Sequence, residues 1–101
     1  MTLAYYFEDN WMLTLVSCLR GGKTIYYDST EYEICDADII DDQIVIDAMR
    51  ESKFTQLFIG IDGIDGVAIS PVDSMPWRSV VSGFDKNKNK LFDICVENDL
   101  T

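Results

Sequence analysis

Between Asp28 and Asp47 the chain carries eight carboxylates: Asp28, Glu31, Glu33, Asp36, Asp38, Asp41, Asp42 and Asp47. No lysine or arginine lies among them. Carboxylates at this density can hold a hard cation through oxygen ligands, serve as general acid and base, or dock a positively charged partner. The stretch supplies −8 of a formal net charge of −10 in 101 residues. Selection for solubility alone would be expected to mix signs. The run therefore reads either as a solvated face or as a docking surface for a basic partner.

Catalytic options are narrowed by the absence of histidine. A Ser-His-Asp triad, a Cys-His pair and a histidine-ligated zinc are excluded, and with them the usual general base near neutral pH. Paired carboxylates remain available for glycoside hydrolysis, but a chain of 101 residues leaves little room for a sugar cleft beside a core. The expectation is that the protein is not an enzyme and uses no cofactor.

Metal binding is tested by two segments. Asp85-Lys86-Asn87-Lys88-Asn89-Lys90 matches the first half of a calcium-binding EF-hand loop, but Lys90 replaces the turn glycine and Val96 the bidentate glutamate. It reads as a hairpin turn. Asp62-Gly63 and Asp65-Gly66 likewise read as turns. No lysine-bearing phosphate loop is present.

The three cysteines, Cys18, Cys35 and Cys95, are odd in number and form no CxxC pair. They read as reduced, mostly buried thiols, which suits a cytosolic protein. The N-terminal residues lack the basic stretch of a signal peptide, and no run approaches the roughly 20 apolar residues that span a bilayer. The expected location is cytoplasmic. The negative charge argues against direct nucleic-acid binding, which needs cations against phosphate, and against an anionic membrane surface.

The elements that must position the acids follow from periodicity. Residues 3–7, 11–19, 23–28, 31–35, 54–61, 67–69 and 92–97 read as strands, with 11–28 as a hairpin reversing at Gly21-Gly22. Residues 39–51 read as the main helix, because Ile40, Ile44, Val45, Ala48 and Met49 form one stripe and Asp38 suits an N-cap. A short helical turn is expected from Ser74 to Val81. These elements predict one α+β domain over residues 1–101. Its mainly antiparallel, curved sheet would have five or six strands, with the 39–51 helix packed on one face.

A small, acidic, histidine-free protein with one dense acidic stretch, Asp28 to Asp47, flanked by Tyr26, Tyr27 and Tyr32, resembles the immunity proteins of bacterial contact-dependent growth-inhibition systems. The resemblance implies stoichiometric 1:1 neutralisation of a basic toxin, a nuclease domain, through an acidic surface. The expected docking residues are Asp28, Glu31, Tyr32, Glu33, Asp36, Asp38, Asp41 and Asp42, with Trp77 from the segment 72–78 as an aromatic anchor or a core lid. Two other readings stay open. One is a phage-type inhibitor that mimics DNA, of the anti-restriction or anti-CRISPR kind; the other is a structural or adaptor domain whose charge serves solubility.

Overall fold

Ile44, Ile46 and Ala48 are fully buried, while Val45, Asp47 and Met49 between them are only half-buried. That period of two belongs to a strand. The computed structural model describes residues 5–72 and 75–98. Its elements are β1 (Tyr5–Phe7), α1 (Trp11–Gly21), β2 (Thr24–Tyr27), β3 (Thr30–Ile40), β4 (Gln43–Arg50), β5 (Lys53–Gly60), β6 (Gly66–Val72), β7 (Met75–Phe84) and β8 (Lys90–Glu97). The strands form one sheet in the order β1-β6-β7-β8-β2-β3-β4-β5, and every pairing is antiparallel.

This corrects the expected α+β domain. Among the described residues there are eight strands and one helix of eleven residues, so the architecture is closer to all-β. The helix expected at 39–51 is instead the end of β3, a turn, and β4. Ile39, Ile40, Ile44, Val45 and Ile46 are β-branched and fit a pleated surface better than a helix. Asp41 and Asp42, placed in the first helical turn by the sequence, take φ of 50° and 60° and reverse the chain. The Asp38 carboxylate accepts the N–H of its neighbour Ile39 and caps no helix.

The helix lies where a strand was expected. Leu15, Val16 and Leu19 of α1 are buried, and Trp11 and Cys18 pack beside the core, an i, i+4, i+5, i+7, i+8 stripe. Met12 and Leu13, on the opposite side, are exposed. They made both alternating faces look apolar. Gly22 ends the helix, its N–H bonding the Leu19 carbonyl; a Cβ there would collide with Val96 of β8. The 11–28 hairpin and the 74–81 helical turn are replaced by α1 and by β7; residues 73–74 lie outside the described ones.

Three successive two-residue turns join β2 to β5. Asp28-Ser29, Asp41-Asp42 and Glu51-Ser52 all have positive φ at both positions, as a type I′ hairpin turn requires. None uses glycine. Residues 62–66, expected as a hairpin reversal, instead carry the chain from one end of the sheet to the far side, since β5 does not pair with β6. The six peptide steps from Gly60 to Gly66 span at most about 20 Å. A flat sheet would separate β5 from β6 by about 29 Å. The sheet therefore curls, wrapping its inner face around α1. Leu15 and Leu19 share one buried cluster there with Ile25, Ile44, Ile46, Leu57, Ile59, Ile61, Val67, Val81, Ile94 and Val96. Each such side chain contributes roughly 1.5–3 kcal/mol by leaving water.

Candidate partner-binding face

The convex face of the sheet is built mainly around β3. In a regular strand Glu31 and Glu33 would share one face, and Asp36 and Asp38 would take the other. The register shows why they do not. Ile34 pairs with Ala48, yet Asp36 pairs with Asp47, so Cys35 is an extra residue in a β-bulge. The bulge re-phases the strand. Ala37, at 2% exposure, points inward after Ile34, and all four acids are left outward and exposed. Asp47 joins them from β4. Side chains two apart along such a strand are spaced about 6.8 Å.

The row is partly compensated from outside the acidic stretch. Beyond Thr24, β2 no longer flanks β3, and α1 lies there instead. Arg20 reaches from it, donating from Nε to Asp36 at 3.2 Å and to the Ala37 carbonyl at 2.8 Å. Its guanidinium lies 3.8 Å from Asp38. The absence of a local cation in the sequence therefore does not hold in space for these two acids. Asp47 accepts a hydrogen bond from Gln56 Nε2 at 2.8 Å.

At the other half of the face, Tyr26 donates to Glu31 Oε2 at 3.2 Å. The negative charge beside it, chiefly through that bond, raises the tyrosine pKa above its ordinary value. Arg78 stacks over the Tyr26 ring at 5.3 Å and pairs with Glu97 at 2.7 Å. Glu31, Tyr26, Arg78 and Glu97 thus form one row crossing four strands. Tyr26, Glu31 and Glu33, with Met49 and Arg50, border a shallow, solvent-open depression of roughly 540 Å³.

The expected docking residues are not all brought together. Glu31, Glu33, Asp36 and Asp38 share the convex face. Asp28 sits in the β2–β3 turn at one end, and Asp41 and Asp42 in the β3–β4 turn at the other; β3 between them runs about 35 Å. Tyr32 alternates inward and packs against the core. Trp77 is half-buried and alternates with outward-facing Arg78, so it takes the inner side. Asp47 of the acidic stretch, Tyr26 beside it and Arg78 of the 72–78 segment also belong to the face, as does Glu97, which was not a candidate. Their cross-strand pairing was the missing signal.

Asp85 accepts the N–H groups of Asn87 and Asn89 and the Asn89 side-chain amide. Those bonds, the Asn89 backbone first, hold its carboxyl below the usual range. The residue ties the β7–β8 hairpin, as its turn reading required. Among the described residues, no three or more cysteines or carboxylates converge closely enough to hold a metal ion. The cysteines are all free, but Cys35 in the bulge is exposed and only Cys18 and Cys95 are half-buried. Burial raises the pKa of both of those thiols. No helix among the described residues is long and apolar enough to cross a membrane.

The class defined by these features is an antiparallel sheet curled around one helix, with an acidic convex face. No protein-family model, no curated protein and no solved structure matches the chain.

Proposed function

We propose that this protein is a stoichiometric inhibitor that covers a basic surface of a protein partner, in the manner of an immunity protein neutralising a nuclease toxin. The reading rests on one observation: a β-bulge at Cys35 turns Asp36 and Asp38 onto the face that carries Glu31 and Glu33. Bulges re-aim side chains, and here the re-aiming gathers like charges at a cost in stability. The acids would steer a cationic partner to the face faster than the neutral association rate of about 10⁵–10⁶ M⁻¹s⁻¹, in a salt-sensitive manner. Tyr26 would give the contact an aromatic centre, its ring already held by Arg78.

The DNA-mimic reading is less well supported. Carboxylates about 6.8 Å apart along β3 carry half the linear charge of one DNA strand, which bears one phosphate per about 3.4 Å. Arg20 offsets part of even that density.

The test is affinity capture from the native host at low and moderate salt with the wild-type protein and with Glu31→Lys/Glu33→Lys/Asp38→Lys. The expected result is one basic, nuclease-like protein at 1:1, lost in the triple variant while circular dichroism is unchanged. Equal capture by both proteins, or no stoichiometric partner, would leave the acidic face as solvation only.

A further inference from the structure

We infer that β5 is a self-association edge, through which two copies of this chain pair antiparallel into one continuous sheet. The inference is independent of the proposed function. Edge strands are usually blunted by being short or by a bulge, a proline or a charge. β1, one edge, has three residues, and its Tyr6 lies under the Lys88 ammonium at 3.8 Å and against Phe84. β5, the other edge, has eight residues, Lys53–Gly60, whose one charge is Lys53 at its start, with no proline and no register shift against β4. Phe54 and Phe58 on it are 62% and 52% exposed. A Cβ at Gly60 would meet nothing within 4 Å, so the convex side at this end of β5 is open as well.

The backbone fixes which groups are open. Ile61 donates its N–H to Asp42, and antiparallel bonding alternates along a strand. Ile59, Leu57 and Thr55 therefore bond to β4, whereas Phe58, Gln56 and Phe54 aim their N–H and C=O groups away from it. Pairing two β5 strands with Gln56 opposite its own copy satisfies all of these groups. It sets Phe54 against Phe58 twice on the convex face.

Charge selects a second copy as the occupant. Arg50 and Lys53 face each other where β5 begins, with Glu51 in the turn between them. Asp41, Asp42 and Asp62 cluster where it ends, since Gln43 pairs with Gly60 and Asp42 bonds Ile61. An antiparallel twofold lays the basic end of each copy beside the acidic end of the other. The chain is otherwise strongly anionic, and β5 itself carries no acid to set against its copy.

The test is light-scattering mass measured across a dilution series of the full chain. The wild type should show twice the 11.5 kDa chain mass and dissociate on dilution. Gln56→Pro removes an N–H that β4 does not use, and Phe58→Lys replaces each Phe54–Phe58 contact across the seam with an ammonium set against Phe54 of the second copy. Each should weaken dimerisation roughly tenfold or more while circular dichroism stays that of the wild type. Hydrogen exchange of the Phe54, Gln56 and Phe58 amides should slow as the dimer forms. A wild type that stays monomeric throughout overturns the inference. So does a dimer that survives Phe58→Lys with those three amides exchanging freely.

Discussion

Asp36 and Asp47 stand directly opposite one another across the β3–β4 ladder, two carboxylates at a position where like charges repel. Each has its own donor, Arg20 for Asp36 and Gln56 for Asp47. Asp47→Asn keeps the acceptor for Gln56 and removes the repulsion. It should raise stability by about 0.5 kcal/mol and weaken capture of a basic partner. Urea denaturation midpoints and capture yields, measured together, check this opposition.

Arg20 offsets part of the row while remaining half-exposed, at 50%. Its ion pairs should be worth no more than about 1 kcal/mol. Arg20→Gln leaves the acids of β3 without that cation, so its thermal midpoint should rise with added salt more steeply than that of the wild type. Parallel slopes would show that Arg20 does not compensate the face.

Ser29 and Ser52 occupy left-handed positions at φ of 62° and 65°. A side chain there costs about 1–2 kcal/mol, part of which glycine returns as unfolded-state entropy. Ser29→Gly and Ser52→Gly should each stabilise by roughly 0.5–1 kcal/mol in chemical denaturation. No gain would mean that the serine hydroxyls support the turns.

The lowered Asp85 pKa has a definite pH consequence. A carboxylate depressed in the folded state supports the fold above its unfolded value of about 3.9, and the support is lost as pH falls through the folded value. The Asp85 carboxyl resonance should titrate below about 3.9. Asp85→Asn should loosen the 85–89 turn at neutral pH and remove this part of the acid dependence.

Cys35 should take up a thiol-reactive reagent in the native state, with Cys18 labelled only under denaturant. Mass spectrometry of alkylated peptides distinguishes the two. Comparable native labelling of Cys18 would show that α1 opens.

The strands at 54–61 and 92–97 and the tyrosine-rich β2 were legible because their alternation is clean and each lies between turn residues. The segment 39–51 was not, since Ile40, Ile44 and Ala48 satisfy a helical stripe as well as a strand-turn-strand. The decisive turn there is Asp-Asp, without the glycine that announces a hairpin. α1 was misread because exposed Leu13 and Met12 blur its polar side. The acidic composition of the candidate face was visible in the sequence. Its single-sidedness was not, because a one-residue bulge has no spacing signature, and the Arg20 and Arg78 contacts join distant segments. The neighbour relations of β8 with β2 and of β1 with β6 are likewise invisible to local pattern.

The three two-residue turns have a kinetic consequence. They make every contact in the β2–β5 meander local, so its loop-closure cost is small. The pairing of Thr24 with Glu97 must instead close a loop that runs from β2 through β8. Substitutions at Ile44 or Leu57 should therefore slow folding, and one at Val96, which pairs with Ile25 across that seam, should mainly speed unfolding. The meander that displays the acidic row is then the first part of the chain to acquire its shape, and the seam between β8 and β2 the last to close.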